Sequence, residues 1–256
     1  MKLPFISCKC ITYGRTSTLE ESIYSFLQQD YRGDRELVIV NDYPKQKLIF
    51  DHPEIKIINL DYTFSTIGDK ENYAIDLCEG ELIAVWDDDD VALPNHLSNV
   101  AKYWKENTNL LHWQRGVYYN APNITAIVSI GNSGIVYSKK AWEAIGKSPI
   151  ENAGGDMSLV VKIHNLGREN VVLASPPDDE VSWFYRWGGI DVYHQSGQGN
   201  DVPGKANAIQ RHSLFIEQKR QRKQIPTGDV NLNPNWKYDY VEMLKKFIST
   251  QPVQKS

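Results

Sequence analysis

The sequence predicts an α/β protein built on an open, mostly parallel β-sheet. Strand-like and helix-like segments alternate along the first part of the chain, and the segments 36–42 (ELVIVND) and 55–60 (IKIINL) are largely apolar. Such alternation is typical of βαβ units. Strands with long apolar runs are expected where both faces of a parallel sheet are covered by helices.

The first part of the chain supplies four predicted strands and three predicted helices. The strands span residues 5–12, 36–42, 55–60 and 81–87. Thr18 is expected to begin the first helix, because it forms a capping box with Glu21. Asp69 is expected to cap the second helix, which stops at Gly80, and Pro94 to begin the third.

The second part of the chain differs in character. Residues 110–138 are rich in strand formers and aromatic side chains. Beyond them the pattern predicts two helices, which end at Gly146 and Gly167, and two further strands, at 170–174 and 181–187.

We predict one domain over residues 1–200, composed of a first half (1–109) and a second half (110–200). A C-terminal helix and an extended tail follow over 201–256, without a second domain. The tail contains the basic run 219–223 (KRQRK). Such a run either contacts an anionic ligand or, more commonly, forms the solvated face of a helix.

Composition narrows the classes of function. Of 256 residues, 41% are hydrophobic and 23% charged, which is typical of a globular protein, and the net charge of −4 argues against a protein that coats nucleic acid. No apolar run reaches the roughly 20 residues of a membrane span, and the N-terminus does not have the pattern of a signal peptide. Cys8, Cys10 and Cys78 lack metal-finger spacing, so we expect reduced, buried thiols in a cytoplasmic protein.

Four consecutive carboxylates, Asp87 to Asp90, close the fourth predicted strand. Neighbouring carboxylates repel by roughly 3 kcal/mol at an effective dielectric near 20. A bound Mg²⁺ or Mn²⁺ would offset that cost, and alternation along an extended chain lets Asp87 and Asp89 face one ligand. A solvated acidic loop is an alternative; a structural Ca²⁺ site is another, although the EF-hand pattern is absent.

Polar residues also follow two other predicted strands, at Thr12–Arg15 and Asn41–Asp42. Ligands of open α/β sheets bind at the carboxyl ends of the strands. The three strand ends therefore predict one shared ligand site.

The segments ITYGR, ELVIVND, GDKENYAI and GELIAVWDDDDVALPNHL occur in an order and spacing that resemble family 2 glycosyltransferases of the GT-A fold. The resemblance covers residues 4 to about 104 closely and continues more loosely to about 200. Asp87 and Asp89 match the family's DxD positions, with Asp88 at the variable position between them. The family's usual PTYNR start reads ITYGR here, without the proline.

The resemblance implies a Rossmann-like open sheet flanked by helices, with residues 1–109 binding a nucleotide-sugar and residues 110–200 an acceptor. The donor-binding residues that it implies are Thr12, Tyr13, Arg15, Asp42, Lys70, Asp87 and Asp88. Tyr13 would stack on the nucleobase and Asp42 would accept from uracil N3–H. Asp42 as a turn or helix cap, and Lys70 as an exposed helix lysine, are the alternatives.

The resemblance also implies a metal site and a catalytic base. Asp89 and His194 would hold Mn²⁺ or Mg²⁺, with Asp87 contacting the ribose or the metal; a structural role for His194 is equally plausible. Asp156, where the family often has a Glu-Asp pair, would be the general base for the acceptor hydroxyl. Its alternative role is a helix N-cap, and the two roles are compatible.

The implied activity is metal-dependent, inverting transfer of a sugar, from a UDP-sugar in the first instance, to a hydroxyl of a glycan, lipid, protein or nucleic acid. A homo-oligomer is compatible with this activity. A nucleotidyltransferase is one rival, but TYGRTSTLEES lacks the basic, glycine-rich character needed to hold a triphosphate. A non-catalytic nucleotide-sugar- or glycan-binding module is the other, supported by Gly155 in place of the first acid of the pair.

Overall fold

The computed structural model describes residues 3–120, 122–151, 155–186 and 217–251. Within them the strands are β1 (Ile6–Thr12), β2 (Arg35–Asn41), β3 (Gln46–Ile49), β4 (Ile55–Asn59), β5 (Leu82–Val85), β6 (Val91–Ala92), β7 (Leu110–Trp113), β8 (Gly116–Asn120), β9 (Asn123–Val128), β10 (Val136–Ser138), β11 (Val171–Ala174), β12 (Trp183–Arg186) and β13 (Gly228–Asn231). The helices are α1 (Thr16–Leu27), α2 (Ile67–Asp76), α3 (His96–Tyr103), α4 (Lys139–Ala144), α5 (Gly155–His164) and α6 (Tyr240–Thr250).

The main sheet has the strand order β11-β7-β10-β5-β1-β2-β4. Neighbouring strands in it are parallel, except that β10 runs antiparallel to both β5 and β7. The predicted α/β class with a mostly parallel sheet is therefore confirmed. The side chains of β2 from Leu37 to Val40 are all buried, as a strand covered on both faces requires.

A second sheet, in the order β6-β12-β8-β9, packs against α6. Tyr240 and Leu244 of α6 share an apolar cluster with Val91 and Phe184 of this sheet. The segment that precedes α6 returns to the first half of the chain, where β13 pairs with β3 in parallel. Sequence patterns did not predict these two four-residue strands.

Two predicted helix starts are wrong by one turn. The N-cap of α1 is Arg15, so Thr18 lies inside the first turn and its hydroxyl donates to the Arg15 carbonyl. The N-cap of α2 is Thr66, whose Oγ1 accepts from the backbone N–H of Asp69 at 3.0 Å and donates to its carboxylate at 2.7 Å. Asp69 is therefore the residue whose N–H is capped, not the cap itself.

Pro94 and Gly80, which were predicted to start α3 and to end α2, do not mark these helix ends. α3 begins at His96, after Pro94. α2 is capped at its C-terminus by Leu77, so Gly80 does not stop it. A Cβ on Gly80 would lie 2.6 Å from the backbone nitrogen of Ser7, and the Gly80 N–H donates to Ser7 Oγ at 2.7 Å. Glycine is needed there for a close approach to β1.

The three cysteines are buried and unbonded to one another. In the described ranges, no helix has the length and apolar character needed to cross a bilayer.

Candidate functional site

The carboxyl ends of β1, β2 and β5 lie side by side at one edge of the main sheet. β1 lies between the other two strands, and all three run in the same direction. Thr12 ends β1 opposite Asn41 of β2. Trp86 N–H donates to Lys9 O at 2.9 Å, just beyond the end of β5. The polar residues that follow the three strands therefore meet at this edge. We call it the donor edge, after the ligand that the sequence resemblance implies there (Thr12–Arg15, Asp42 and Asp87–Asp90).

Arg15 bridges two carboxylates of the acidic run. Its Nε donates to Asp88 Oδ2 at 3.0 Å, and its Nη1 donates to Asp89 Oδ2 at 2.7 Å. Burial opposes its charge, but Asp88, Asp89 and Asp87 together keep the pKa of Arg15 above its ordinary value. The guanidinium is thereby fixed within the acidic run, where it adds one positive charge.

Despite Arg15, the surroundings of the acidic run disfavour the charged form of its carboxyl groups. Burial, and next the charge of Asp89, raises the pKa of Asp87 to about 7. Burial raises the pKa of Asp88 to about 6, although Arg15 opposes that shift. A raised carboxyl pKa means that the protein disfavours the charged form. A cation bound at this edge would stabilise the ionised carboxylates.

Asp90 has a different role from the other three. It accepts from Ser133 Oγ at 2.6 Å, from Trp183 Nε1 at 2.9 Å and from the backbone N–H of Arg186 at 2.8 Å. Its side chain is 2% exposed. Asp90 therefore fastens the acidic run to β12 and to the loop before β10, and it is not available to a ligand.

The loop 131–134 contacts the acidic run through Ser133. Gly131 and Gly134 have φ angles of 63° and 64°, in the left-handed region that favours glycine. A Cβ on Gly134 would lie 2.8 Å from the ring of Trp183. The two glycines thus let the loop place Ser133 against Asp90.

Asp42 and Lys70 form a buried pair at the same edge. Lys70 Nζ donates to the Asp42 carboxylate and, at 2.7 Å, to the carbonyl of Thr12. Asp42 Oδ2 accepts the backbone N–H of Phe64 at 3.0 Å. Lys70 is 6% exposed, so it is not a surface lysine. Burial lowers its pKa despite the charge of Asp42. The carboxylate of Asp42 thus joins the donor edge to α2 and to the segment before α2.

Tyr13 is half-buried beside Tyr43, with ring centroids 4.9 Å apart and ring planes at 53°. Tyr43 is buried, and Ile225 packs with it. The partly exposed ring of Tyr13 is thus backed by an apolar cluster.

Asp156 lies in the first turn of α5 and is exposed. Its Oδ2 is 3.5 Å from Nδ2 of Asn132, the neighbour of Ser133. A first-turn carboxylate interacts favourably with the helix dipole. The loop 131–134 thus contacts both Asp156 and, through Ser133, the acidic run.

A family model described as "Glycosyl transferase family 2" matches residues 9–149, more than half of the chain. The chain belongs to glycosyl transferase family 2. The resemblance inferred from the sequence is confirmed, and membership of this family makes the chain a glycosyltransferase. No curated protein is significantly similar to it in sequence.

Solved glycosyltransferase structures share its fold. Staphylococcus aureus TarS 1-349 in complex with UDP-GlcNAc is 16% identical, with a TM-score of 0.59 over 86% of this chain and 73% of that one. The mannosyltransferase PcManGT of Pyrobaculum calidifontis, in complex with GDP-Man and Mn²⁺, is 16% identical, with a TM-score of 0.53 over 96% and 69%. A further structure of TarS 1-349 is 17% identical, with a TM-score of 0.54 over 73% of this chain; the match spans only 60% of its length.

Family membership raises the question whether this edge fits a divalent cation. Among the residues that the structure describes, no three His, Cys, Asp or Glu side chains are gathered as a metal cluster. Mg²⁺ at nucleotide sites is commonly held by one or two carboxylates together with phosphate oxygens. Asp87 and Asp89 supply two such carboxylates, and the raised pKa of Asp87 favours a nearby cation. The donor set therefore fits, while His194 lies outside the described residues.

Sequence reasoning missed a buried ion pair behind the donor edge. Arg186 Nη1 donates to Glu21 Oε2 at 2.8 Å, and the Tyr240 hydroxyl donates to Glu21 Oε1 at 2.6 Å. Glu21 is 1% exposed. Its position on the apolar face of α1 was the available signal, because a carboxylate on a buried face requires a partner.

Proposed function

We propose that this glycosyltransferase moves a sugar from a nucleotide-sugar, with a UDP-sugar as the first candidate, to an acceptor hydroxyl by a metal-dependent, inverting single displacement. The observation that carries the proposal is the donor edge itself. Asp87 and Asp89 stand there beside the guanidinium of Arg15, which is held by Asp88 and Asp89, at the carboxyl ends of three parallel strands.

The donor's base and ribose would occupy the side of the edge formed by β1 and β2. Tyr13 presents a partly exposed ring for stacking on a base. Asp42 follows β2 at this edge, and Lys70 Nζ donates to its carboxylate. A carboxylate acceptor suits the N3–H of uracil, and this is why a UDP-sugar is preferred.

Asp87 and Asp89 would hold the Mn²⁺ or Mg²⁺, with His194 as a further ligand. When bound, the ion would neutralise the charge that develops on the departing diphosphate. Arg15 contributes to the same task from the protein, because its guanidinium lies between Asp88 and Asp89 and orients both carboxylates.

Asp156 would act on the acceptor. Its carboxylate takes the proton of the acceptor hydroxyl as that oxygen bonds to the anomeric carbon. The bond between the anomeric carbon and the diphosphate oxygen breaks on the opposite face, so the configuration inverts. An ordinary carboxyl group serves as the base because the proton leaves late, once the hydroxyl oxygen has begun to bond.

Residues 1–109 would thus form the donor half and 110–200 the acceptor half of one domain. The buried, unbonded thiols are consistent with a reducing, cytoplasmic location.

The test is nucleotide release from a panel of UDP-, GDP- and dTDP-sugars, with Mn²⁺ or with EDTA. We expect release from one donor, its loss in EDTA, and a fall of about a thousandfold for Asp89→Ala. Asp51→Ala is the matched control, because Asp51 is an exposed carboxylate that precedes β4 at the opposite edge of the sheet. No metal-dependent release from any donor would overturn the proposal.

A further inference from the structure

The segment 217–232, which we call the return segment, is built into the donor half of the molecule. Its strand β13 pairs with β3 from Gly228 to Asn231. Gln46 Nε2 donates to the carbonyl of Pro226 at 2.6 Å. Lys45 forms a 3.1 Å ion pair with Glu217. Because β3 follows Asp42 closely in the chain, these contacts bring the return segment next to the donor edge.

One arginine of the basic run 219–223 forms an ion pair with a glutamate of the same segment. Arg220 forms an ion pair with Glu217, three residues earlier. Burial, then the charge of Glu217, raises the pKa of Tyr43, while Arg220 opposes the shift. Both charged groups therefore lie near Tyr43, so this part of the basic run flanks the base side of the site.

An apolar stack links the return segment to Tyr13. Ile225 is 8% exposed and packs with Tyr43, which is 2% exposed. Tyr13 packs against that pair, with its ring tilted 53° to the ring of Tyr43. Ile225 and Tyr43 thus pack on Tyr13, which as a whole residue is intermediate in burial. The orientation of Tyr13 thus depends on a residue more than two hundred positions along the chain.

We infer that Tyr43 and Ile225 are positioning residues for nucleotide binding: they hold the Tyr13 ring at the angle at which it stacks on the donor's base, and the return segment is part of the donor site. This inference rests on the proposed function. Stacking depends on ring orientation. A Tyr13 ring that is no longer held at this angle would therefore lower the affinity for the nucleotide without changing the reacting groups.

Calorimetric titration of the full chain with UDP, GDP and dTDP in the presence of Mn²⁺ tests the inference. For the nucleotide that the wild type binds, we expect Ile225→Ala to raise the Kd about five- to tenfold. The donor KM should rise in the same ratio with kcat nearly unchanged. Ile225→Leu keeps the side-chain volume and should restore binding to within about twofold.

Leu232→Ala is the matched control. Leu232 is 7% exposed and lies in the same segment, but it packs in the main core rather than on Tyr43. It should lower the melting temperature as Ile225→Ala does and leave the Kd unchanged. Tyr43→Leu, which keeps an apolar side chain but removes the ring, is the second variant and should also weaken binding.

Two results would overturn the inference, and they are distinguishable. Equal affinity for Ile225→Ala, Tyr43→Leu and the wild type would remove the positioning role and leave the proposed function standing. If Leu232→Ala raised the Kd as much as Ile225→Ala does, the effect would be explained by general destabilisation of the fold. A wild type that binds none of the three nucleotides would instead overturn the proposed function, and this inference with it.

Discussion

At the donor edge, Asp88, Asp89, Asp90 and Lys70 are buried and held by ion pairs or by several hydrogen bonds. On the acceptor side, Asp156 is exposed, and its contact with Asn132 is 3.5 Å long. The donor edge is thus organised by the protein before any ligand binds. The proposed base, by contrast, is exposed, so under the proposed function the bound acceptor would complete the surroundings of that carboxylate.

Apolar exposure shows the same contrast. Met157 and Val161 of α5 are 56% and 50% exposed, and Ile150 before α5 is 66% exposed. At the donor edge, by comparison, the residues packed beneath Tyr13 are at most 8% exposed. Substitutions at the donor edge should therefore change both stability and binding, whereas substitutions on the acceptor side should change the chemical step alone.

Asp156→Asn gives the largest expected effect and tests the proposed role of Asp156 as the base. We expect kcat for transfer to fall about a hundredfold or more, because a general base contributes about 10²–10⁴. The Kd for the donor nucleotide should stay at its wild-type value. The melting temperature should fall only slightly, since Asp156 is exposed and its carboxylate loses only the interaction with the helix dipole. Single-turnover transfer and calorimetry measure the two effects. Unchanged kcat would remove Asp156 from the mechanism.

Asp90→Asn separates the structural carboxylate from its functional neighbours. The amide NH₂ would replace one of the two oxygens and so face either the indole N–H that donates to Oδ2 or the Arg186 backbone N–H that donates to Oδ1. One buried donor would lose its acceptor, and we expect a loss of about 2–4 kcal/mol in the free energy of unfolding. Urea unfolding measures it. Wild-type stability with abolished activity would instead place Asp90 among the ligand-binding groups.

A pH dependence of stability is expected beneath the donor edge. His96 is fully buried among Trp86 and Trp183, and burial lowers its pKa from 6.5 to about 3. Between these values the unfolded chain binds the proton and the folded chain does not. Stability is therefore complete above about pH 6.5 and falls as the pH drops toward 3, by up to about 1.4 kcal/mol per pH unit.

His96→Gln should flatten this dependence. Urea unfolding of both proteins between pH 7 and pH 4.5 measures the two slopes, and His52→Gln, at a less buried histidine before β4, is the control. Identical slopes for the wild type and His96→Gln would show that His96 does not control acid stability.

The sequence was sufficient for the architecture of the donor edge because apolar strand runs and the polar residues after them are local patterns. The start of α2 shows the limit of such local patterns, since Asp69 was predicted as the cap and Thr66, three residues earlier, is the cap. Both residue types favour caps, and only the structure shows which of them acts as the cap.

The different roles of the four aspartates in the acidic run depend on partners that are distant in the sequence, so they could not be predicted from it. Asp90 is bound by Ser133, 43 residues away, and by Arg186, 96 residues away. The contact between Gln46 and Pro226 spans 180 residues. Nothing in a local pattern distinguishes Asp90 from Asp89, because pairing over such separations is set by the packing of the whole fold.

Binding of Mn²⁺ in the presence of UDP, followed by the electron paramagnetic resonance signal of the free ion, tests the central assignment of the donor edge. Asp89→Asn should weaken Mn²⁺ binding about tenfold or more, while Asp51→Asn should bind as the wild type does. That result would place the ion at the acidic run. Equal Mn²⁺ binding by the wild type and Asp89→Asn would contradict the account, because the crowded carboxylates would then serve the fold and not the donor.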